Sequence, residues 1–562
     1  MADQSAPDQS PQQHPYGPAA AVPGRVPTGA AASVRSVGQR IGLGLPLLLI
    51  ALAALVAAYV LPSLRTLQVS LEPGDALSAD SGGFDNYRQL ADHWFFGPGL
   101  LALAPPLLGT VVAGAVLAPL MAWAVHRSGS GVRLAARIAF ALAAVAFAPA
   151  AMVVAWLFER ISTGGPLNDA GLIDWFQMAS GCAFGLAALV VLAAFRGGAD
   201  TGKRAAPVVA AALTAFALTA SGLQTFTFNY VTGIPAFPDV TPLQHLYLLG
   251  FLQGRTGIAA AGSILLLGAL AALGIGAAVL FAAARTRIDV GSGPGEPRRF
   301  SAVPGVVSVL LLIAFGAGVA LSLRPWLVRI LGESGTRNDA TTVLLDSWGA
   351  AGVTTAVAIA AALAGGYSLG ALRPLGDGSR WLLLLFAPWL FVGSGPLMMA
   401  NFEARWEVSG PGAFLNLAPR AWIAIPALFV FTALFHGLED RRREAVAAGR
   451  RPTGMFAAAW PMVALVTLAV WLVNGQDVVW QLVSFTSDRP SPSQVLFQES
   501  FGFATEVEGR GVGIASPAVL LAVFAAAAVA AAVWYLPKVG LRVGRDRLPA
   551  PDPTLPLSMP RR

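Results

Sequence analysis

The chain contains few charged residues and almost no cysteine. Charged residues make up 12% of the 562 positions, whereas hydrophobic residues make up 56%. Ordinary soluble domains carry roughly 25% charged residues, so a string of soluble domains is excluded. The single cysteine, Cys182, excludes a disulfide framework and a cysteine-based metal site. The five histidines are scattered without metal-ligand spacing, so the sequence predicts no metal site.

Long apolar segments take the place of a charged surface. A helix needs about 20 predominantly apolar residues to cross a bilayer. Twelve segments meet this requirement, and together they predict an all-α polytopic membrane protein with about 12 transmembrane helices. The predicted spans lie near residues 41–61, 99–125, 134–158, 178–195, 205–222, 256–284, 303–323, 348–372, 381–400, 419–436, 455–474 and 512–536.

The distribution of lysine and arginine predicts the orientation of these spans. If the N-terminal tail is cytosolic and each span crosses once, 26 of the 37 Lys and Arg residues lie in cytosolic segments. The positive-inside rule therefore predicts that both termini are cytosolic. Residues 1–40 read as a disordered tail, and the basic tail 538–562 is expected to face lipid headgroups. Topology accounts for the basic charge, so no nucleic-acid partner is predicted.

A polar cytosolic linker, residues 286–302, divides the predicted spans into two sets of six. The first half covers residues 41–285 and the second half residues 303–537. An even number of spans in each half predicts two parallel repeats, related by an axis along the membrane normal. Weak internal similarity favours a duplication, because a Gly-Ile-Ala sequence opens the last span of each half, at Gly257 and at Gly513.

The predicted spans contain essentially no ionisable residue away from their ends. Ionisable groups inside a bilayer usually mark proton relays or ion sites. The chain is therefore a poor candidate for a proton-coupled pump, and its driving energy is expected to come from elsewhere. Residues 197–204 nearly match an ATP-binding P-loop, but Arg204 stands where the motif requires a hydroxyl residue. The chain itself is therefore predicted not to hydrolyse ATP.

The loop between predicted spans ten and eleven, residues 435–461, carries the most informative motif. Residues 439–448 are good helix formers, and Gly449 can end a helix with a positive φ. The loop resembles the EAA loop of binding-protein-dependent ABC importer permeases, a short helix that docks into the ATPase subunit. The resemblance implies an ATPase-coupling loop made by Glu444, Ala445, Gly449, Phe456 and Pro461.

Other segments are similar to the sugar-transporting branch of that family. They are residues 84–90, 156–172, 232–241 and 364–369, together with Asn474. The resemblance covers about residues 41–536 and implies that two permease halves, usually separate chains, are fused. The corresponding loop of the first half, residues 196–207, has no Glu-Ala pair, so the implied transporter is asymmetric.

The resemblance implies a plasma-membrane permease subunit of an ATP-driven importer for a carbohydrate. Its implied partners are two cytosolic ATP-binding subunits and an extracytoplasmic solute-binding protein. ATP and Mg²⁺ belong to the partner subunits, so this chain is expected to have no cofactor and no catalytic residue. Aromatic and amide side chains near span ends are the candidates for the solute pathway: Asn229, Tyr230, Tyr367, Asn474 and Trp480.

Two other classes of protein remain open at this point. An ion-gradient-driven secondary transporter with the same six-plus-six plan would require intramembrane carboxylates or an acidic residue in the loop 126–133, which has none. A membrane glycosyltransferase that uses a lipid-linked sugar would need paired acids in the first external loop. That loop contains Asp75, Asp80, Asp85 and Asp92, which read more simply as solvated loop charges.

Overall fold

In the computed structural model, the described residues up to Gly291 form twelve α-helices and one strand. The structure describes residues 37–73, 82–92, 98–164, 172–198, 205–232, 241–291, 302–331, 340–404, 411–449, 454–484, 489–501 and 511–544. Of the predicted tail 1–40, residues 1–36 lie outside the described residues, and α1 begins at Val37. The elements of the first half are α1 Val37–Leu55, α2 Leu61–Leu71, α3 Asp85–Asp92, α4 Pro98–Val112, α5 Ala118–His126, α6 Ser130–Val145, α7 Pro149–Ser162, α8 Leu172–Gly198, α9 Ala205–Leu223, α10 Thr227–Thr232, α11 Pro242–Tyr247, α12 Thr256–Ala283 and β1 Arg287–Val290.

The second half is also helical and also ends in a strand. Single π-helical turns join α1 to α2, α4 to α5 and, in this half, α14 to α15. Residues 376–397 consist mainly of 3₁₀ helix, in the segments Gly376–Leu385, Ala387–Trp389 and Gly395–Leu397. The elements are α13 Ala302–Leu331, α14 Ala340–Leu344, α15 Ala350–Tyr367, α16 Met398–Glu403, α17 Pro411–Leu417, α18 Ile425–Ala447, α19 Met455–Gly475, α20 Val478–Ser484, α21 Pro492–Phe501, α22 Val512–Ala515, α23 Ala518–Ala530 and β2 Val539–Arg542.

Eight helices in the described residues are long and apolar enough to cross a membrane, which confirms an all-α polytopic membrane protein. Each coincides with one of the predicted spans. They are Gly38–Leu71, Leu103–His126, Ala205–Thr232, Thr256–Ala283, Val303–Leu331, Thr341–Leu372, Met455–Gly475 and Ala518–Lys538.

The other four predicted spans take different forms. The run 134–158 is broken between α6 and α7, whose axes meet at 88°, and Pro149 begins the second helix. The run 178–195 lies inside α8, and 419–436 begins instead at Ile425, with Pro426 in the first turn of α18. The run 381–400 is divided among three 3₁₀ segments and the start of α16. Pro388 and Pro396 lie in the two shorter 3₁₀ segments, and proline lacks the amide hydrogen that a continuous helix needs.

The two halves place similar elements in the same order. In each half a helix with a polar end (α8 or α18) is followed by an apolar helix (α9 or α19), a short helix after a break (α10 or α20), a second short helix (α11 or α21), a final apolar helix (α12 or α23) and a strand. The second half has one further short helix, α22, before its final apolar helix. The first helix of each half packs against helices of the other half: α1 packs against α15, and α13 packs against α5 and α8. The halves therefore interlock rather than lying side by side.

The strands that end the halves pair with each other as a two-stranded antiparallel ribbon. Arg287 lies opposite Arg542, and Val290 lies opposite Val539. The Gly291 amide donates to the Lys538 carbonyl at 2.9 Å, which extends the pairing by one bond. The predicted linker and basic tail thus contain a structured element, and Arg542 forms an ion pair with Asp289 at 2.7 Å.

Candidate functional site

The predicted coupling loop begins as a continuation of α18. Residues 438–447, the last ten of this helix, form what we call the α18 arm. Gly449 follows with φ +67°, and its amide donates to the Val446 carbonyl at 3.0 Å. This geometry confirms the helix end expected from the glycine, because a left-handed residue closes a helix without a Cβ penalty. Glu444 and Gly449 are exposed and Ala445 is partly buried, whereas residues 450–453 lie outside the described residues.

Glu439 stabilises the arm from within, because its two partners lie one turn further along the same helix. Its side chain is only 7% exposed and accepts hydrogen bonds from Arg442 at 2.7 Å and from Arg443 at 2.9 Å. Burial by itself would raise the pKa of Glu439, but the hydrogen bonds and charges of the two arginines outweigh it and lower the pKa below the ordinary 4.5. The ionised carboxylate therefore stabilises the folded arm.

The lowered pKa of Glu439 predicts that acid loosens the arm. A carboxyl whose folded-state pKa is depressed contributes stability above its unfolded pKa of 4.5, and this contribution is lost as the pH falls through the folded-state value. We expect a spin label on Ala447→Cys, in a Cys182→Ser background, to become more mobile as the pH falls from about 6 to about 3. Glu439→Gln should remove most of this pH dependence, and an unchanged profile in that variant would contradict the assignment.

A second ionic cluster surrounds the next residue, Asp440. Arg373 donates to its carboxylate at 2.8 Å, and Arg287 on β1 approaches it at 3.6 Å. The same Arg373 guanidinium donates to the His436 carbonyl at 3.1 Å. Both arginine side chains are less than 10% exposed. Asp440 therefore ties the arm to the loop after α15 and to the ribbon.

The aromatic residue of the predicted motif packs beside the arm. Phe456 is 63% exposed, and its ring lies 5.1 Å from that of Tyr367 and 5.9 Å from that of Phe435. Pro461 lies inside α19, beyond the first turn. The structure thus brings Tyr367, a predicted pathway residue, to the coupling loop.

The ribbon is seated between α8 and α18, and a glycine on each helix makes room for it. A Cβ on Gly437 would collide with the carbonyl of Ile288 on β1, and one on Gly197 would collide with the backbone of Leu541 on β2. Arg441 donates to the Val290 carbonyl, and Arg196 donates to the Gly291 carbonyl at 3.0 Å. Each strand therefore packs on the helix of the opposite half.

A cavity of about 420 Å³ lies between the halves, and we call it the interhalf cavity. It is lined where helices break: at Phe147 between α6 and α7, at Gln224 between α9 and α10, at Ser394 among the 3₁₀ turns, and at Asp477 between α19 and α20. Irregular backbone in an apolar bundle is tolerated where it lines a cavity or is satisfied by protein groups. Discontinuous helices at corresponding places in two repeats are typical of solute sites in transporters.

Gln224 links the two halves at the wall of this cavity. Its side-chain amide donates to the Phe391 carbonyl at 2.8 Å and accepts a hydrogen bond from the Gly393 amide at 2.8 Å. Its counterpart at the second break, Gln476, donates to the Ala515 carbonyl at 3.0 Å. Both glutamines lie directly after the apolar helix of their half, at the start of the break.

Asp477 is the only charged side chain among the described residues that line the cavity. Its Oδ1 accepts hydrogen bonds from the Ser394 hydroxyl at 2.7 Å and from the Trp480 amide at 3.0 Å, so it also caps α20. Sequence reasoning missed this residue because it follows an apolar run and reads as a span-end charge. An aspartate just before a short apolar helix is the signal that could have found it.

The five predicted pathway residues lie in three places. Asn229 and Tyr230 are on α10, where the Tyr230 ring packs 5.2 Å from Phe226, which lines the interhalf cavity. Asn474 donates to the Thr355 hydroxyl at 3.0 Å, and Trp480 donates to the Leu417 carbonyl at 2.9 Å, beside a much smaller pocket that both line. Tyr367 lies at the coupling loop.

No group of three His, Cys, Asp or Glu side chains in the described ranges has the arrangement of a metal site. Comparison with protein-family models, with curated proteins and with solved structures finds no match for this chain.

Proposed function

We propose that this chain is the membrane permease of an ATP-driven, binding-protein-dependent importer, with both permease halves in one polypeptide. The observation that carries the proposal is the α18 arm, an exposed glycine-capped helix end that bears Glu444 and is tied at its base, through Asp440, to the buried Arg373 and Arg287. A protruding helix with a rigid base can transmit the movement of a bound cytosolic subunit to the transmembrane helices.

The arrangement of the halves supports a parallel duplication of six spans each. The recurring order of elements, the crossed first helices and the shared ribbon all fit two halves related by an axis along the membrane normal. In this proposal twelve segments span or enter the plasma membrane, and both termini are cytosolic, as lysine and arginine predict. The interhalf cavity is then the solute pathway.

In the proposed mechanism this polypeptide performs no covalent chemistry. Two cytosolic subunits bind ATP and Mg²⁺, and an extracytoplasmic binding protein delivers the solute, a carbohydrate by family resemblance. Closure of the ATPase subunits moves the α18 arm. The Asp440 cluster and the ribbon transmit this movement to α15 and to α8, so that the cavity opens alternately to the two sides.

The arm provides the test of this function. In co-purification of the full chain with its ATPase subunits, the double variant Glu444→Ala/Gly449→Ala should reduce capture at least about tenfold. One change removes an exposed carboxylate, and the other places a Cβ on a left-handed residue, at a cost of about 1–2 kcal/mol.

Ser130→Ala, at the start of α6, is the matched control on the same predicted face and should leave capture unchanged. Equal capture by the double variant and by this control would refute docking through the arm.

The carboxylate of Asp477 favours a second candidate function, an ion-gradient-driven carrier, because such carriers use acids inside the bundle. Uptake into cells separates the two. The importer should stop when ATP is depleted, whereas a carrier should continue without ATP and stop when an ionophore is added.

A further inference from the structure

The interhalf cavity is lined by one acidic residue, Asp477, which has no acidic counterpart at the corresponding break of the other half. The break after α9 presents Gln224 and then Thr225, and the break after α19 presents Gln476 and then Asp477. All four residues line the cavity. One half therefore supplies a neutral hydroxyl at the place where the other supplies a carboxylate.

This carboxylate has no cationic partner in the described part of the chain. Its hydrogen bonds come from the Ser394 hydroxyl and from the backbone at the start of α20, and no Lys or Arg side chain among the described residues lines the cavity. Charges away from bulk water are usually paired, because an unpaired charge loses its solvation. Burial accordingly raises the pKa of Asp477, because its carboxylate loses solvation without gaining a counter-charge. A cationic group in the cavity would stabilise the ionised form, so the cavity favours a ligand that brings the opposite charge.

We propose that the interhalf cavity binds a positively charged group of the solute, an ammonium or a guanidinium, with Asp477 as its counter-charge. The inference rests on the proposed function and narrows its substrate class from carbohydrates in general to a solute with a cationic group, such as an amino sugar. The other walls suit such a solute. Thr227 and Gln476 offer neutral hydrogen-bonding groups, and the rings of Phe147 and Phe226 can pack on its apolar face or on the cation.

The only cysteine of the chain is a natural reporter for this potential, because Cys182 also lines the cavity. The experiment uses the full chain in lipid nanodiscs and two thiol reagents of similar size. They are the cationic trimethylammonium-ethyl methanethiosulfonate and the anionic sulfonato-ethyl methanethiosulfonate. The ratio of their reaction rates with Cys182 reports the sign and strength of the local field.

We expect Asp477→Asn to lower the cation-to-anion rate ratio at least about tenfold, as the Coulomb energy of one charge in a partly desolvated cavity implies. Asparagine keeps the side-chain oxygen that caps α20, so the variant should fold. Thr225→Ala, at the corresponding break, is the matched control and should leave the ratio unchanged. The charge-transfer variant Asp477→Asn/Thr225→Asp should restore it.

An equal rate ratio in the native chain and in Asp477→Asn would overturn the proposal. An equal fall of the ratio in Thr225→Ala would overturn it too, because the field at Cys182 would then not depend on Asp477 in particular. Neither result depends on the capture of ATPase subunits by the α18 arm, so this inference and the proposed function can fail separately.

Discussion

Replacing Gly437 with valine should displace the ribbon from α18 and destabilise the protein by about 3 kcal/mol, the upper end of the usual cost of overpacking. The new Cβ would meet the carbonyl of Ile288, and its distance to the carbonyl carbon would be only 2.9 Å. Backbone of a paired strand cannot move aside as a flexible side chain can. Displacement would also break the hydrogen bond from Arg441 to the Val290 carbonyl. Equilibrium unfolding followed by tryptophan fluorescence measures the change in free energy.

Two other glycines make this prediction specific to the ribbon. Gly197→Val should cost a similar free energy, because its Cβ would meet the backbone of Leu541 on the other strand. Gly131→Val, in the first turn of α6, should change stability by less than about 1 kcal/mol, since no atom lies within 4 Å of its Cβ position. If Gly437→Val behaved like Gly131→Val, the ribbon would not be seated on α18 as described.

The apolar segments and the end of the arm could be predicted from local sequence. Eight of the twelve predicted spans coincide with helices long and apolar enough to cross a membrane, because a long apolar run has few alternatives to a helix. The positive φ of Gly449 followed from glycine after good helix formers. The broken run at 381–400 was harder, since its apolar composition outweighed the local signals of Pro388 and Pro396.

The ribbon and the charge of the cavity depend on contacts that a local pattern does not contain. Residues 287–290 pair with a strand some 250 positions away in the sequence. Four residues of ordinary β propensity do not predict such a long-range pairing. Asp477 lies next to the apolar helix α19, and only the folded chain brings it to the same cavity as Gln224. Residues of both halves line the cavity, so the sequence of one half alone does not predict its lining.

Asp440→Asn should be among the most destabilising single substitutions in the chain, with a cost of about 3–5 kcal/mol in the free energy of unfolding. The carboxylate is the counter-charge of Arg373 and Arg287, whose side chains are 6% and 8% exposed. Without it, both guanidinium groups lose this counter-charge while they remain buried. Arg373 also acts on Arg380, whose pKa is lowered by burial and by the charges of Arg285 and Arg373. The substitution should therefore unseat the base of the arm as well as destabilise the fold.

An exposed ion pair provides the matched control for this effect. Asp85→Asn removes the partner of Arg88, whose side chain is 80% exposed, and should cost less than about 1 kcal/mol. Asp440→Glu keeps the charge and should recover much of the stability that Asp440→Asn loses. A loss in Asp440→Asn no larger than that in Asp85→Asn would show that solvent screens this cluster. The arm would then lack the rigid base through which an outside subunit could move the bundle.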